Sequence, residues 1–398
     1  MPSKSVSPAT PAGKESRTKS VADAKIVVHV PDPCRASRRV LFSSFGYFSQ
    51  FLLLGEMSNR RGPSESMRRS FYIVGPTATG KSELAGDVAH EIGAEIVSAD
   101  AFQIYRGLDL LSAKPHLSTL AKAPHHLIGT LPLTEQMNAE KYRHWAGRAI
   151  EEINSRDKLA IVVGGSGLYI KALTHGLAPL PESDPKLREK LNEMSLDNLR
   201  VQLSELDPET AEKIDLKNRR RVMRALEICV LTGKPASAQR RQSSVAASLC
   251  EAQTARANEI QMKASRSEAA TAPGSWIHAA GVFVFRDRQE LYQRINQRVE
   301  TIFEGGVIEE VRAAGTTSAT ASQMIGLCEI RELLAGRKSR TQCVSEIQQV
   351  TRRYAKRQLT WFRRQTNFPP LNLSFLTHNE AVKWISLRIL SEAGTRDD

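Results

Sequence analysis

Ser70-Phe71-Tyr72-Ile73-Val74 runs directly into Gly75-Pro76-Thr77-Ala78-Thr79-Gly80-Lys81-Ser82, and that stretch decides the fold. Its first half is short, apolar and rich in aromatic and β-branched side chains, the mark of a buried strand entering a turn. Its second half fits the phosphate-loop pattern G-x-x-x-x-G-K-[ST] at every fixed position. Glycines let backbone amides turn inward, the lysine supplies a point charge for a terminal phosphate, and the serine hydroxyl can ligate Mg²⁺. Beyond the loop, Leu84, Val88 and Ile92 recur at helical spacing. Strand, loop and helix in this order predict a diphosphate or triphosphate site and are silent on what is done with it.

Outward from that loop, Glu95-Ile96-Val97-Ser98 reads as a second strand ending at Asp100. A helix follows over about residues 142–153, then a strand Leu159-Ala160-Ile161-Val162-Val163 that stops at Gly164-Gly165. Strands alternating with helices at such intervals predict an α/β fold, a parallel sheet flanked by helices. Such sheets place ligands at the carboxyl ends of their strands. Asp100, at one such end, could ligate Mg²⁺, act as a general base or cap a helix. Gly164-Gly165-Ser166-Gly167 permits close ligand approach and offers a hydroxyl.

Residues 184–231 are helical in periodicity throughout, and 236–275 show no apolar face and read as a poorly ordered connection. Gly281-Val282-Phe283-Val284-Phe285 reads as a returning strand, with helices to about residue 364 and then a tail. The expected organisation is an N-terminal extension (1–69, disordered), a first part of the core (70–183), an inserted helical segment (184–275), a second part of the core (276–375) and a tail (376–398).

The 398 residues are 41% hydrophobic and 25% charged, ordinary for a globular protein. The net charge of +13 is not ordinary and points to a polyanionic partner. Some of it falls in residues 1–69, but Arg219-Arg220-Arg221 and the run 352–364 lie deep in the chain. In that run cations interleave with Tyr354, Trp361 and Phe362, a combination that pairs phosphate contact with base stacking. The five cysteines never pair as Cys-x-x-Cys, so neither a zinc knuckle nor a disulfide framework follows. The longest apolar run, residues 40–54, is too short to span a bilayer. No membrane association follows from it, and a cytoplasmic location is expected, with organelle import through the N-terminal extension as the alternative. His125 and His126 have no third ligand in view and read as structural or phosphate-side groups rather than a metal site.

Residues 75–82, 98–109 and 164–169, in this order, resemble the tRNA dimethylallyltransferase (tRNA isopentenyltransferase) family. The likeness continues through Pro124-His125-His126-Leu127-Ile128, Arg221-Val222-Met223-Arg224-Ala225-Leu226-Glu227 and Thr232-Gly233-Lys234-Pro235. It ends with Ala355-Lys356-Arg357-Gln358-Leu359-Thr360-Trp361-Phe362-Arg363, and covers about residues 71–364. The resemblance implies a P-loop NTPase-like sheet with an inserted helical tRNA-binding domain, working as a monomer. The implied activity moves a dimethylallyl group from dimethylallyl diphosphate to the N6 amine of the adenosine immediately 3′ of the anticodon, releasing diphosphate.

Carried over residue by residue, Gly75, Pro76, Thr77, Ala78, Thr79, Gly80, Lys81, Ser82 and Arg294 would hold the diphosphate, with Mg²⁺ near Ser82. Asp100 would be the base, acting with Lys81, Ser166 and Arg298 as the catalytic set; Ser166, Arg294 and Arg298 would polarise the leaving group or position the reacting groups. Contacts to the tRNA anticodon stem-loop would come from Asp100, Ala101, Phe102, Gln103, Ser166 and Arg188, then from Arg220, Arg221, Val222, Met223 and Arg224. Gln323, Met324, Ile325, Gly326, Leu327 and Cys328 would add to them, as would Lys356, Arg357, Gln358, Leu359, Thr360, Trp361, Phe362 and Arg363.

The chain departs from the family pattern at Ser166 (Thr), Gly129 (Asp), Leu111-Ser112 (Gly-Thr) and Leu327-Cys328 (Tyr and a basic residue). The chemistry survives these changes, and the last of them bears on RNA affinity. No Cys/His zinc finger follows the core, which implies a bacterial-type or organelle-type enzyme. Alternatives are an adenylate isopentenyltransferase acting on free nucleotide, a P-loop nucleotide kinase and a catalytically dead RNA-binding paralogue. The helical insert and basic C-terminal helix oppose the first, the lack of a Walker-B strand the second, and the retained Lys81, Ser82, Asp100 and Arg298 the third.

Overall fold

The computed structural model describes residues 70–178, 180–239 and 279–394. The expected N-terminal extension, residues 240–278 and the last four residues lie outside that range. The strands are β1 (Ser70–Val74), β2 (Glu95–Ser98), β3 (His125–His126), β4 (Ala160–Gly164), β5 (Ala280–Phe285) and β6 (Pro370–Asn372). They form one six-stranded sheet in the order β3-β2-β4-β1-β5-β6, parallel throughout. Among them run helices α1 (Lys81–Ile92), α2 (Leu117–Leu120), α3 (Ala139–Asn154) and α4 (Gly167–His175). A helical segment follows: α5 (Pro185–Glu193), α6 (Leu196–Leu206), α7 (Pro208–Lys213) and α8 (Arg219–Thr232). After β5 come α9 (Arg288–Glu304), α10 (Val307–Ala313), α11 (Leu327–Leu334), α12 (Arg340–Gln365) and, past β6, α13 (His378–Gly394).

Every residue of β1, β2 and β4 is buried, because helices cover both faces of the sheet. Side chains alternate between faces with the strand period of two. Tyr72, Val74, Val97, Val162 and Phe283 pack with Tyr142, Ile150, Ile170 and Phe362 on one face. Phe71, Ile73, Ile96, Ile161 and Val282 pack with Leu84, Val88, Ala381 and Ile385 on the other. Glu95 is the exception, a buried carboxylate at the start of β2 met by His126 (2.8 Å), Arg156 (2.8 Å) and Lys158 (3.1 Å). Burial pushes its pKa up, but these hydrogen bonds prevail and hold it at about 2. His126 is thereby spent on structure, and His125 bonds the Ala123 carbonyl at 2.7 Å. Among the described residues no group of three metal-ligating side chains occurs.

The chain divides into two compact units, one of which holds the described residues 180–239 and the other the sheet and its helices. The smaller unit is all helical and starts a few residues before the expected insert boundary. Helices α5 to α8 are each capped by a side chain that accepts a backbone N–H: Asp184, Ser195, Asp207 and Asn218. Leu191, Leu199, Leu203, Val222 and Leu226 fill its core.

The expected tail at 376–398 is instead largely helix α13, packed on α1 side chains through Ala381, Ile385 and Ile389. Its outer face also carries apolar residues, Trp384, Leu387 and Leu390. Apolar residues on both faces blur the 3.6-residue period, which is why the helix is hard to read from sequence. No helix among the described residues is long and apolar enough to cross a membrane.

Candidate active site

The ends of β1, β2, β4 and β5 are level in register, so the loops that follow them converge. In the phosphate loop Ala78 (φ 65°) and Gly80 (φ 90°) adopt left-handed conformations, which turns the chain back on itself before α1. The first N–H groups of α1 have no helical partner and face this loop with the positive end of the helix dipole. Lys81 is buried, its Nζ donating to the Pro76 carbonyl at 3.0 Å. Arg286 Nε donates to Thr79 O (2.9 Å), Arg294 Nε to Ala78 O (2.9 Å) and Arg298 Nη1 to the Thr77 hydroxyl (2.8 Å). Burial lowers the pKa of Lys81 to about 8 and also lowers those of Arg294 and Arg298. Four cations are thus gathered on one loop, and the carboxylate acting on both Lys81 and Arg298 is Asp100. Arg286 is paired with Glu290 at 2.6 Å, whereas Lys81, Arg294 and Arg298 bond only neutral loop oxygens, and such a cluster of cations suits an anionic ligand.

Asp100 sits at the β2 end, where its Oδ1 accepts from Phe102 N–H (2.9 Å) and Gln103 N–H (3.3 Å). It therefore caps a turn and also lines a pocket with Thr77, Arg298 and Tyr354. Of the readings open in the sequence, capping is the one these bonds show, at a turn rather than at a helix. Ser166 accepts from Ala101 N–H at 2.9 Å. One lone pair of its hydroxyl thus helps to hold the Asp100 turn. The remaining walls of the pocket are mostly apolar, among them Phe102, Leu111, Ile295, Met324, Ile325 and Ile347, with Ser112 and Thr351 the polar exceptions. A cationic end, one carboxylate and an apolar wall suit an alkyl diphosphate better than a sugar or a nucleoside triphosphate.

A family model described as IPP transferase matches residues 103–365. The chain belongs to the IPP transferase family. It is 36% identical to the tRNA dimethylallyltransferase of Akkermansia muciniphila, over 82% of this chain and 99% of that one. It is 42% identical to tRNA dimethylallyltransferase 1 of Citrifermentans bemidjiense, over 76% of this chain and 92% of the relative. The crystal structure of the full-length tRNA isopentenylpyrophosphate transferase of Bacillus halodurans aligns at a TM-score of 0.55 and 28% identity, covering 83% of this chain and 100% of that one.

As a member of the IPP transferase family the chain is a transferase, and the positions of its anticipated RNA contacts can be sorted by exposure. Arg220 and Arg221 are exposed in the first turn of α8. Cations there oppose the helix dipole, so intrinsic helix stability does not account for them. Their neighbour Arg219 bonds the carbonyls of Leu191, Asn192 and Met194. Arg188 and Arg224 both bond Glu227, whose side chain is fully buried; Val222 is buried beside Met223 in the helical core. On α12, Lys356, Arg357, Thr360 and Arg363 are exposed and Leu359 is partly so.

None of the three aromatics of α12 stands on its exposed side. Phe362 is buried against Phe283, Trp361 lies on Gly167, and Tyr354 lines the pocket beside Asp100. The interleaving seen in sequence is helical amphipathicity, with the aromatic face turned inward. Met324 and Leu327 are buried as well; Ile325 lines the pocket, Gly326 caps α11 at φ 95°, and Gln323 and Cys328 are exposed. Leu327 thus fills a core and removes nothing from an RNA surface. Gln103 is anchored to the Ala113 carbonyl at 2.9 Å. Sequence reading missed Arg286; its place at the end of β5 was the available signal.

Proposed function

We propose that the chain transfers a dimethylallyl group from dimethylallyl diphosphate to the N6 amine of a tRNA adenosine 3′ of the anticodon. The observation that carries this reading is the convergence of Lys81, Arg294 and Arg298 on the phosphate loop, with Asp100 opposite and an apolar wall beside them. The names of the relatives above support the same reaction. In the reaction the allylic C–O bond breaks, its electron pair leaving with the diphosphate, while the N6 lone pair forms the new C–N bond. Lys81, Arg294 and Arg298 neutralise charge that grows on the leaving oxygen, the term that most lowers such barriers. Asp100 accepts the N6 proton. The apolar wall receives the five-carbon tail, and the acceptor base leaves its stack to reach the pocket.

Mg²⁺ fits as a companion of the diphosphate: the donor on offer is the Ser82 hydroxyl at the start of α1, and Mg²⁺ is commonly held by few protein groups plus phosphate oxygens and water. Bound there, it would add positive charge to the leaving group.

Incubation with radiolabelled dimethylallyl diphosphate, Mg²⁺ and either bulk tRNA or AMP tests the reading. Label should enter tRNA; label only in AMP, or in neither, would overturn it. A second expectation concerns the RNA path. Each phosphate contact by Lys or Arg steepens the log–log salt dependence of binding by about 0.7–0.9, so replacing Arg220, Arg221 and Lys356 by Ala should flatten the slope by roughly two to three units. Arg224 is left out because its loss would leave the buried Glu227 with one of its two cationic partners. An unchanged slope in filter-binding titrations would make these cations a solvated face only.

A further inference from the structure

The buried stripe of α12 runs through Cys343, Ile347, Ala355 and Phe362, and Gln358 interrupts it with a primary amide. Gln358 is 6% exposed, where an amide is costly unless both of its ends are bonded. Both are. Its Oε1 accepts from Thr77 N–H at 2.9 Å, and its Nε2 donates to the Gly165 carbonyl at 2.8 Å. The two partners belong to the loops after β1 and β4, which are neighbouring strands. A Cβ on residue 165 would stand 2.3 Å from Nε2, so glycine there is what lets the amide in.

Thr77 is consequently held twice, by Gln358 at its N–H and by Arg298 at its hydroxyl. Its amide is turned to the helix and is not among those offered to an anion. The same helix presents Lys356, Arg357 and Arg363 on its exposed side. One rigid element therefore carries cations on its outside and a clamp on the phosphate loop on its inside. No other described side chain on α12 hydrogen-bonds that loop.

We propose that Gln358 is a positioning residue, rather than an RNA contact, and that it couples occupancy of the outer face of α12 to the shape of the diphosphate site. It fixes the Thr77 peptide, and with it the alignment of the Thr77 hydroxyl and Arg298 on the leaving group. When RNA steadies α12, the clamp steadies the loop, and diphosphate binds more tightly; by linkage, diphosphate then tightens RNA by the same factor. This deepens the tRNA reading above and rests on it.

The test is calorimetric titration of the full chain with inorganic diphosphate and Mg²⁺, with and without a saturating tRNA anticodon stem-loop. The unsubstituted chain should bind diphosphate about tenfold more tightly when the stem-loop is present. Gln358→Met suits the apolar stripe but leaves the Thr77 N–H and the Gly165 carbonyl without partners, so its thermal midpoint should fall by roughly a few degrees, while stem-loop affinity without diphosphate barely moves and the coupling falls to about twofold or less. Gln358→Glu keeps the acceptor for Thr77 N–H but sets a carboxylate against the Gly165 carbonyl. It should lose coupling near neutral pH and regain part of it as the carboxyl is protonated and can donate again, a rescue that a purely structural role does not predict. In turnover, both variants should show a raised KM for dimethylallyl diphosphate and a lowered kcat, because Arg298 is no longer aligned on the leaving group, while KM for the stem-loop changes little. Full coupling in either variant, or none in the unsubstituted chain, would overturn the proposal. Failure of the unsubstituted chain to bind the stem-loop at all would overturn the tRNA reading itself, and the coupling with it.

Discussion

Replacing Asp100 by Asn should slow prenyl transfer by about 10²–10⁴-fold and leave tRNA binding nearly unchanged, since a positioned base contributes on that scale. The Asn variant is the sharper probe because both turn hydrogen bonds, from Phe102 and Gln103, end on Oδ1. An amide oxygen can keep both, so the turn survives while charge and basicity go. Asp100→Ala should lose the turn as well, and part of its deficit should be structural.

The electrostatics supply a second readout. Asp100 lies close enough to Lys81 and Arg298 to favour their charged forms. Its carboxylate also repels an incoming diphosphate, so Asp100→Asn should bind inorganic diphosphate no less tightly than the unsubstituted chain. A variant that is slow yet binds both partners well is the signature of a lost base. Single-turnover assays with radiolabelled dimethylallyl diphosphate measure the rate; a deficit below about threefold would remove Asp100 from that role.

Lys81→Met should reduce kcat/KM by about 10²–10³-fold, with diphosphate affinity and the chemical step both affected, because this ammonium meets the anion before and after bond cleavage. The methionine preserves the bulk of the buried stem, so the fold should hold. Burial sets the pH dependence. Lys81 titrates at about 8 in the folded chain against an ordinary 10.5. Between these values the unfolded chain carries the extra proton, so the contribution of this group to stability rises with pH across the window. Below about 8 the ligand-free protein buries an ammonium with the Pro76 carbonyl as its hydrogen-bond partner, at some cost in stability.

Diphosphate reverses the preference by favouring the protonated form. Its affinity should therefore fall as pH rises above about 8, with a log–log slope of up to about one, and the slope should vanish in Lys81→Met. Titrations on either side of that pH decide the matter. Neither protein should release phosphate from ATP in a tRNA-stimulated manner; robust release would revive a kinase or ATPase reading.

The sequence by itself determined the phosphate loop, the strand and helix order around it and the family, because these depend on local pattern. An apolar run that ends in glycines can only be a buried strand meeting a ligand loop, and G-x-x-x-x-G-K-[ST] admits few other backbones. Asp100 was visible for the same reason, as an acid at a strand end.

Only the tertiary structure decided which polar side chains are free. Arg188 and Arg224 read as bare cations in the sequence, and only the structure shows both bonded to the buried Glu227; Ser166 reads as a lone hydroxyl until it is seen to accept from Ala101 N–H. Gln358 is separated from Thr77 by 281 residues, and no local pattern announces that a helix amide will end on a loop so far upstream. The physical reason is common to all of these cases. Whether a charge or an amide is available depends on who shares its buried surroundings, since an unpaired polar group there costs about 1–3 kcal/mol and is driven to find a partner. Those partners come from distant parts of the chain, and packing alone brings them together.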